Sequence, residues 1–100
     1  MKLSKKEIQA ITQYFIGLPV NKAYLFGSFA RNEADADSDI DILVELDHDQ
    51  PIGLRFFAFK DELSALLRRD VDLVSEESLS PYVKPFIERD KVLIYEKPVG

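Results

Sequence analysis

The residues best suited to chemistry fall in two short stretches. Gly27-Ser28 follows an apolar run, Ala23-Tyr24-Leu25-Phe26, and after ten intervening residues comes Asp39-Ile40-Asp41, at the head of a second, alternating segment that runs to Val44. In a strand, residues i and i+2 share a face, with Cα atoms roughly 7 Å apart. Ile40, Ile42 and Val44 would then enter a core, while Asp39 and Asp41 point together out of it. Two converging carboxylates disfavour each other's ionisation. A cation resolves that conflict, and an all-oxygen site suits Mg²⁺. A Gly-Ser turn suits phosphate, because exposed backbone N–H groups at a helix N-terminus bind anions. The chemistry suggested is phosphate held beside magnesium.

A third carboxylate sits far along the chain, in Asp70-Val71-Asp72-Leu73-Val74. This segment alternates, with Val71 and Leu73 on one face and Asp72 on the other. The helix expected before it is a crossover, which commonly leaves its flanking strands parallel and adjacent. Asp72 would then join Asp39 and Asp41. Two metal ions bridged by such carboxylates can clamp an in-line phosphoryl or nucleotidyl displacement. Asp72 is placed to bind the activating ion and could accept the nucleophile's proton. Taken singly these signals are weak: Asp-x-Asp describes many exposed strand faces, and Gly-Ser after a strand is usually only a turn. Their order along the chain gives them weight.

The elements that must position these residues follow from pattern. Ser4-Lys5-Lys6-Glu7 fits a capping box, and Ile8, Ile11, Phe15 and Leu18 follow at helical spacing until Gly17 and Pro19 stop the helix. A helix is expected over about 5–16. Lys22 to Phe26 reads as a short central strand, apolar on both faces. Phe29-Ala30-Arg31 fits one helical turn ended by Asn32, which tolerates the left-handed conformation. A second strand is expected over 39–46, after a solvated acidic connection from Glu33 to Asp37. Pro51 could start the next helix, where Phe56, Phe59, Leu63, Leu66 and Leu67 repeat at helical spacing up to Arg69. After the strand 70–74 comes a helix from about Pro81, with Val83, Phe86 and Ile87 as its buried side. Pro85 points to a later start. A last strand spans 91–95, and the tail from Glu96 to Gly100 is expected to fray. The pattern predicts an α+β or α/β domain, one unit over residues 1–100, with a single mixed sheet.

Composition narrows the function classes. The chain has 100 residues, 46% apolar and 11% aromatic, which suits a folded domain with a modest core. It has no cysteine, so disulfides and thiolate metal sites are excluded. The net charge of −5, from 18 acidic and 13 basic residues, argues against a broad grip on DNA or RNA. A nucleotide ligand stays open, since bound Mg²⁺ changes the local sign. No run approaches the ~20 apolar residues of a membrane span, and the N-terminus lacks a secretory pattern. A cytoplasmic protein is the expectation.

Phe26-Gly27-Ser28, Ser38-Asp39-Ile40-Asp41-Ile42 and Val71-Asp72-Leu73-Val74 together resemble the minimal nucleotidyltransferases of the DNA polymerase beta-like superfamily. The resemblance covers nearly the whole chain. It implies the polymerase beta-like α+β fold, one mixed sheet flanked by helices. It also implies that Gly27 and Ser28 contact the nucleotide phosphates and that Asp39, Asp41 and Asp72 hold two Mg²⁺ ions, with ATP as substrate. Arg31 either touches phosphate or braces the turn. Asn32 departs from the pattern, since many relatives have Gly there.

Small stand-alone members resemble the antitoxin halves of HEPN/MNT toxin–antitoxin pairs. For this chain that implies AMP transfer from ATP to a tyrosine hydroxyl of a HEPN ribonuclease toxin. A second reading is an antitoxin that neutralises its partner by binding alone. A third, an antibiotic nucleotidyltransferase, is disfavoured because so compact a chain offers little surface for a drug pocket. A homodimer or a complex is the expected working state. His48 is expected in solvent, Asp35 and Asp37 solvated, and Arg68, Arg69 and Lys84 capping or on the surface rather than on a triphosphate. The aromatics of the third helix are expected in the core.

Overall fold

The computed structural model describes residues 1–50 and 52–98. The expected helix-starting role of Pro51 and the end of the tail lie outside these residues. Helix α1 covers Lys5–Phe15 and begins as its sequence dictates. The Glu7 N–H donates to Ser4 Oγ at 3.1 Å, and the Ser4 N–H donates to Glu7 Oε1 at 2.9 Å. Two orphan donors of the first turn are thereby satisfied. Gly17, at φ +85°, ends the element one residue earlier than expected.

Strand β1 spans Val20–Phe26, two residues more than the alternation suggests at its start, because Val20 is fully buried. The single-turn helix α2, Gly27–Ala30, follows at once, and Asn32 at φ +60° terminates it as expected. Strand β2 spans Ile40–Leu46, so Asp39 lies one residue outside it. Helix α3 covers Arg55–Leu67 and ends at Arg68, which takes the left-handed conformation at φ +53°. Strand β3 follows at Val71–Ser75, then a 3₁₀ turn at Glu76–Ser78.

Helix α4 is short, Lys84–Asp90, and Pro85 sits in its first turn. There the missing N–H is one that no helix could satisfy, so proline costs nothing. Strand β4, Val92–Glu96, completes the sheet. The chain just beyond is also tied down, contrary to a tail frayed from Glu96. The Lys97 N–H donates to Asn21 O at 2.8 Å, and its ammonium meets Asp47 at 3.3 Å.

The four strands run in the order β3-β2-β1-β4, with β2 and β3 parallel and the other pairs antiparallel. The sheet is mixed, as predicted, because α3 is the one crossover between spatial neighbours. One face carries Ala23, Leu25, Ile40, Ile42, Val44, Val71, Leu73 and Tyr95. These pack with Ile11 and Phe15 of α1 and Phe59 and Leu63 of α3 into the main core. Leu43 alternates to the opposite face, and both it and Ile87 of α4 are buried outside that cluster.

Two apolar expectations need correction. Val83 and Phe86 are 47% and 61% exposed, leaving Ile87 as the buried residue of α4. The helix is only seven residues long, so one turn reaches the sheet and the rest stands clear. Leu66 is likewise 51% exposed, because Leu63 and Phe59 already fill the stripe of α3 that meets the core.

Candidate active site

The carboxylates gather at the end of the sheet where β1 finishes and β2 and β3 begin. Register does the placing: Phe26 of β1 pairs with Asp41, and Asp41 pairs with Asp72 of β3. Ile40 and Ile42 fill the core on one face, so Asp41 must project from the other. Asp72 alternates the same way between the buried Val71 and Leu73. Partners on neighbouring strands share a face at about 4.8 Å. The Ile40 N–H donates to Asp70 O at 2.9 Å, which anchors the start of β2 against the start of β3. Asp39 lies just outside that anchor, exposed.

Electrostatics agree with the geometry. The Asp41 carboxyl is pushed up to about 6, first by burial and then by the charges of Asp72 and Asp39, while Arg31 opposes the rise. Three carboxylates therefore act on one another, and the cluster is short of positive charge. Among the described residues no three His, Cys, Asp or Glu side chains close on a common point as metal ligands do. The donor set, all carboxylate oxygen on one side of one sheet end, has the chemistry that suits Mg²⁺. A bound cation would draw Asp39, Asp41 and Asp72 together.

The Gly27-Ser28 turn touches this cluster directly. A Cβ added at Gly27 would lie 2.2 Å from Asp41 Oδ2, and Gly27 stands at φ +72°. Only glycine permits both the backbone conformation and the close approach. Ser28 is half-buried, and its carbonyl accepts the Glu33 N–H at 2.8 Å. Arg31 follows the turn and is already engaged: Nε donates to Glu33 Oε2 and Nη1 to Asp90 Oδ2, each at 3.0 Å. These two bonds make Arg31 a brace for the turn, and its charge lies close enough to Asp41 to oppose the rise of that carboxyl.

The weaker candidates separate cleanly. Arg69 Nη1 donates to Ala36 O at 2.9 Å, and the guanidinium sits 5.2 Å from the Phe29 ring centroid, so Arg69 braces the acidic loop. Asp35 Oδ1 accepts from the Asp37 N–H and the Ser38 hydroxyl, a turn role. His48 is exposed as expected and meets Glu77 at 2.6 Å. Lys84 lines a cleft with His48, Glu45 and Leu46 at the far end of β2, away from the carboxylates. Sequence reasoning missed the cleft of about 380 Å³ where Asp39 and Asp72 meet Lys60, Asp61 and Ser64 of α3. It also missed Asp90. Nothing in the pattern marks these polar positions, because only the folding of α3 and α4 against the sheet brings them near the carboxylates and Arg31.

A family model described as a nucleotidyltransferase domain matches residues 5–94. The chain belongs to this nucleotidyltransferase family. A Methanocaldococcus jannaschii chain, MJ0128, provisionally named a protein adenylyltransferase, is 46% identical over 76 residues, which are 75% of this chain and 76% of that one. The protein adenylyltransferase MntA of Thermococcus cleftensis is 39% identical over 75 residues, 75% of each chain. Among solved structures, a toxin-antitoxin crystal structure with AMP-PNP superposes with a TM-score of 0.74 at 25% identity, covering 95% of this chain and 75% of that one. The resemblance read from Gly27-Ser28, Asp39-Ile40-Asp41 and Asp72 is therefore borne out at the level of family and fold, and the chain is a nucleotidyltransferase.

Proposed function

We propose that this chain is a Mg²⁺-dependent protein adenylyltransferase that moves AMP from ATP to a tyrosine hydroxyl of a HEPN ribonuclease toxin, and so acts as its antitoxin. The observation that carries this reading is the contact of Gly27 with Asp41, itself in register with Asp72. A turn suited to phosphate and three carboxylates suited to divalent cations share one sheet end. The names of the relatives, protein adenylyltransferases, support the acceptor class. The toxin-antitoxin structure with AMP-PNP supports both the partner and the nucleotide.

In this reading the backbone of Gly27 and Ser28 approaches the polyphosphate, while a side chain at position 27 would collide with the Asp41 carboxylate beside it. Arg31 adds positive charge beside the turn. Asp39, Asp41 and Asp72 would hold two Mg²⁺ ions, which supply charge neutralisation and orientation of the triphosphate. Asp72, the more exposed of the register pair, takes the acceptor's proton. The acceptor oxygen bonds to the α-phosphorus, the bond from that phosphorus to the bridging oxygen breaks, and pyrophosphate leaves.

Incubation with ATP, Mg²⁺ and the product of the neighbouring gene should give a partner heavier by one or more AMP units in intact mass spectrometry. The Asp39→Asn/Asp41→Asn double variant should give none. A partner of unchanged mass with the wild-type protein overturns the reading. Full neutralisation by the folded double variant would favour inhibition by binding alone.

A further inference from the structure

The residue that closes the phosphate turn is held from a part of the chain that belongs to no motif. Arg31 and Asp90 are 59 positions apart, yet Nη1 and Oδ2 meet at 3.0 Å. Glu33 makes the second contact, but its side chain is 64% exposed against 24% for Asp90. Both contacts are 3.0 Å, and charge attraction strengthens as water withdraws, so the Asp90 contact is the less screened of the two.

Asp90 is itself fixed. It is the last residue of α4, whose Ile87 is buried, and the Lys91 N–H donates to Ile87 O at 2.8 Å. The Lys91 ammonium then sits 4.3 Å from the centroid of the Tyr24 ring on β1. On the other side of the pair, Arg31 is joined to the turn through its backbone. Its N–H donates to Gly27 O at 3.1 Å, and the Glu33 N–H donates to Ser28 O at 2.8 Å. A force on the guanidinium is therefore passed to Gly27 and Ser28.

We propose that Asp90 is a positioning residue for the nucleotide: its carboxylate holds Arg31, and through it the Gly27-Ser28 turn, in the geometry that receives the polyphosphate. The proposal rests on the nucleotide-binding part of the function proposed above. Asp90 touches no phosphate and acts only through Arg31.

The test uses the full chain with Asp90→Asn, Asp90→Glu and Glu33→Gln, each alone and the first also in an Arg31→Ala background. AMP-PNP with Mg²⁺ is the probe for affinity by calorimetry. KM for ATP and kcat are read from AMP transfer, and Tm reports folding. An exposed ion pair contributes little to stability, so Tm should hardly move. Asp90→Asn should weaken AMP-PNP binding and raise KM about fivefold, with kcat within about twofold, the reach of a pair worth this much. Asp90→Glu should recover most of the loss, Glu33→Gln should cost less, and Asp90→Asn should add nothing once Arg31 is Ala.

Unchanged affinity and KM in Asp90→Asn overturn the proposal. So does a loss that persists undiminished without Arg31, or one seen only in Tm. If the wild type binds AMP-PNP but transfers no AMP, the adenylyl-transfer reading fails while Asp90 is still judged on affinity. If it binds no nucleotide, both fail.

Discussion

Gly27 carries two constraints at one atom. Its φ of +72° lies where an L side chain is strained by about 1–2 kcal/mol, and a methyl group there would meet Asp41 Oδ2 at 2.2 Å. Gly27→Ala should therefore destabilise the fold by about 1–3 kcal/mol in denaturant melts. Displacing Asp41 from its site should also cut AMP transfer by on the order of a hundredfold. Asp41 makes the opposite bargain with stability. Its folded carboxyl titrates near 6 against an ordinary value of 3.8, so the folded state binds more protons between those values. Stability linked to Asp41 is then full below 3.8 and is lost as pH rises through 6. Without metal, Asp41→Asn should stabilise the fold at pH 8 by on the order of 1 kcal/mol, after allowance for a half-exposed group, and so raise Tm. The gain should vanish near pH 3.5, and thermal melts at the two pH values check it. A variant that melts below wild type at pH 8 would contradict the repulsion inferred among Asp39, Asp41 and Asp72.

At the scale of elements, α3 is the part on which the site most depends. It is the crossover that lays β3 beside β2, and Leu63, with no exposed surface, seats it on the core. Leu63→Ala should cost about 2–5 kcal/mol, a large share of the ~5–15 kcal/mol typical of a domain, and urea melts measure it. Much of this architecture was legible beforehand. A capping box, an alternation and a helical stripe each report a local rule, and α1, β2, β3 and α3 obey theirs. The alternation also separated Asp41 and Asp72 from the core residues beside them, which is why the carboxylates were readable. What was not readable depends on contact between distant elements. Val83 and Phe86 have the spacing of a buried stripe, but a short helix reaches the sheet only at Ile87. Asp90 looks like any charged residue at a helix end until Arg31 arrives from the other half of the chain.

The whole molecule is two unequal layers on one sheet. Helices α1 and α3 cover the face that carries the main core, while Leu43 and Ile87 are buried outside that cluster. The carboxylates stand on the opposite face, at the end where Asp39 and Asp72 are exposed. The main core and the carboxylate cluster are thus on opposite sides, so Asp39, Asp41 and Asp72 can be charged and mutually repulsive without entering the core. The parallel pairing of Asp41 with Asp72 has a further consequence, for how the chain can vary in length. Side chains alternate with a period of two along β3, so a shift of one residue would exchange Asp72 for a valine or a leucine. The link Arg68-Arg69-Asp70 between α3 and β3 therefore works as a ruler. An insertion or deletion of a single residue there would turn the Asp72 carboxylate inward and an apolar side chain toward Asp41.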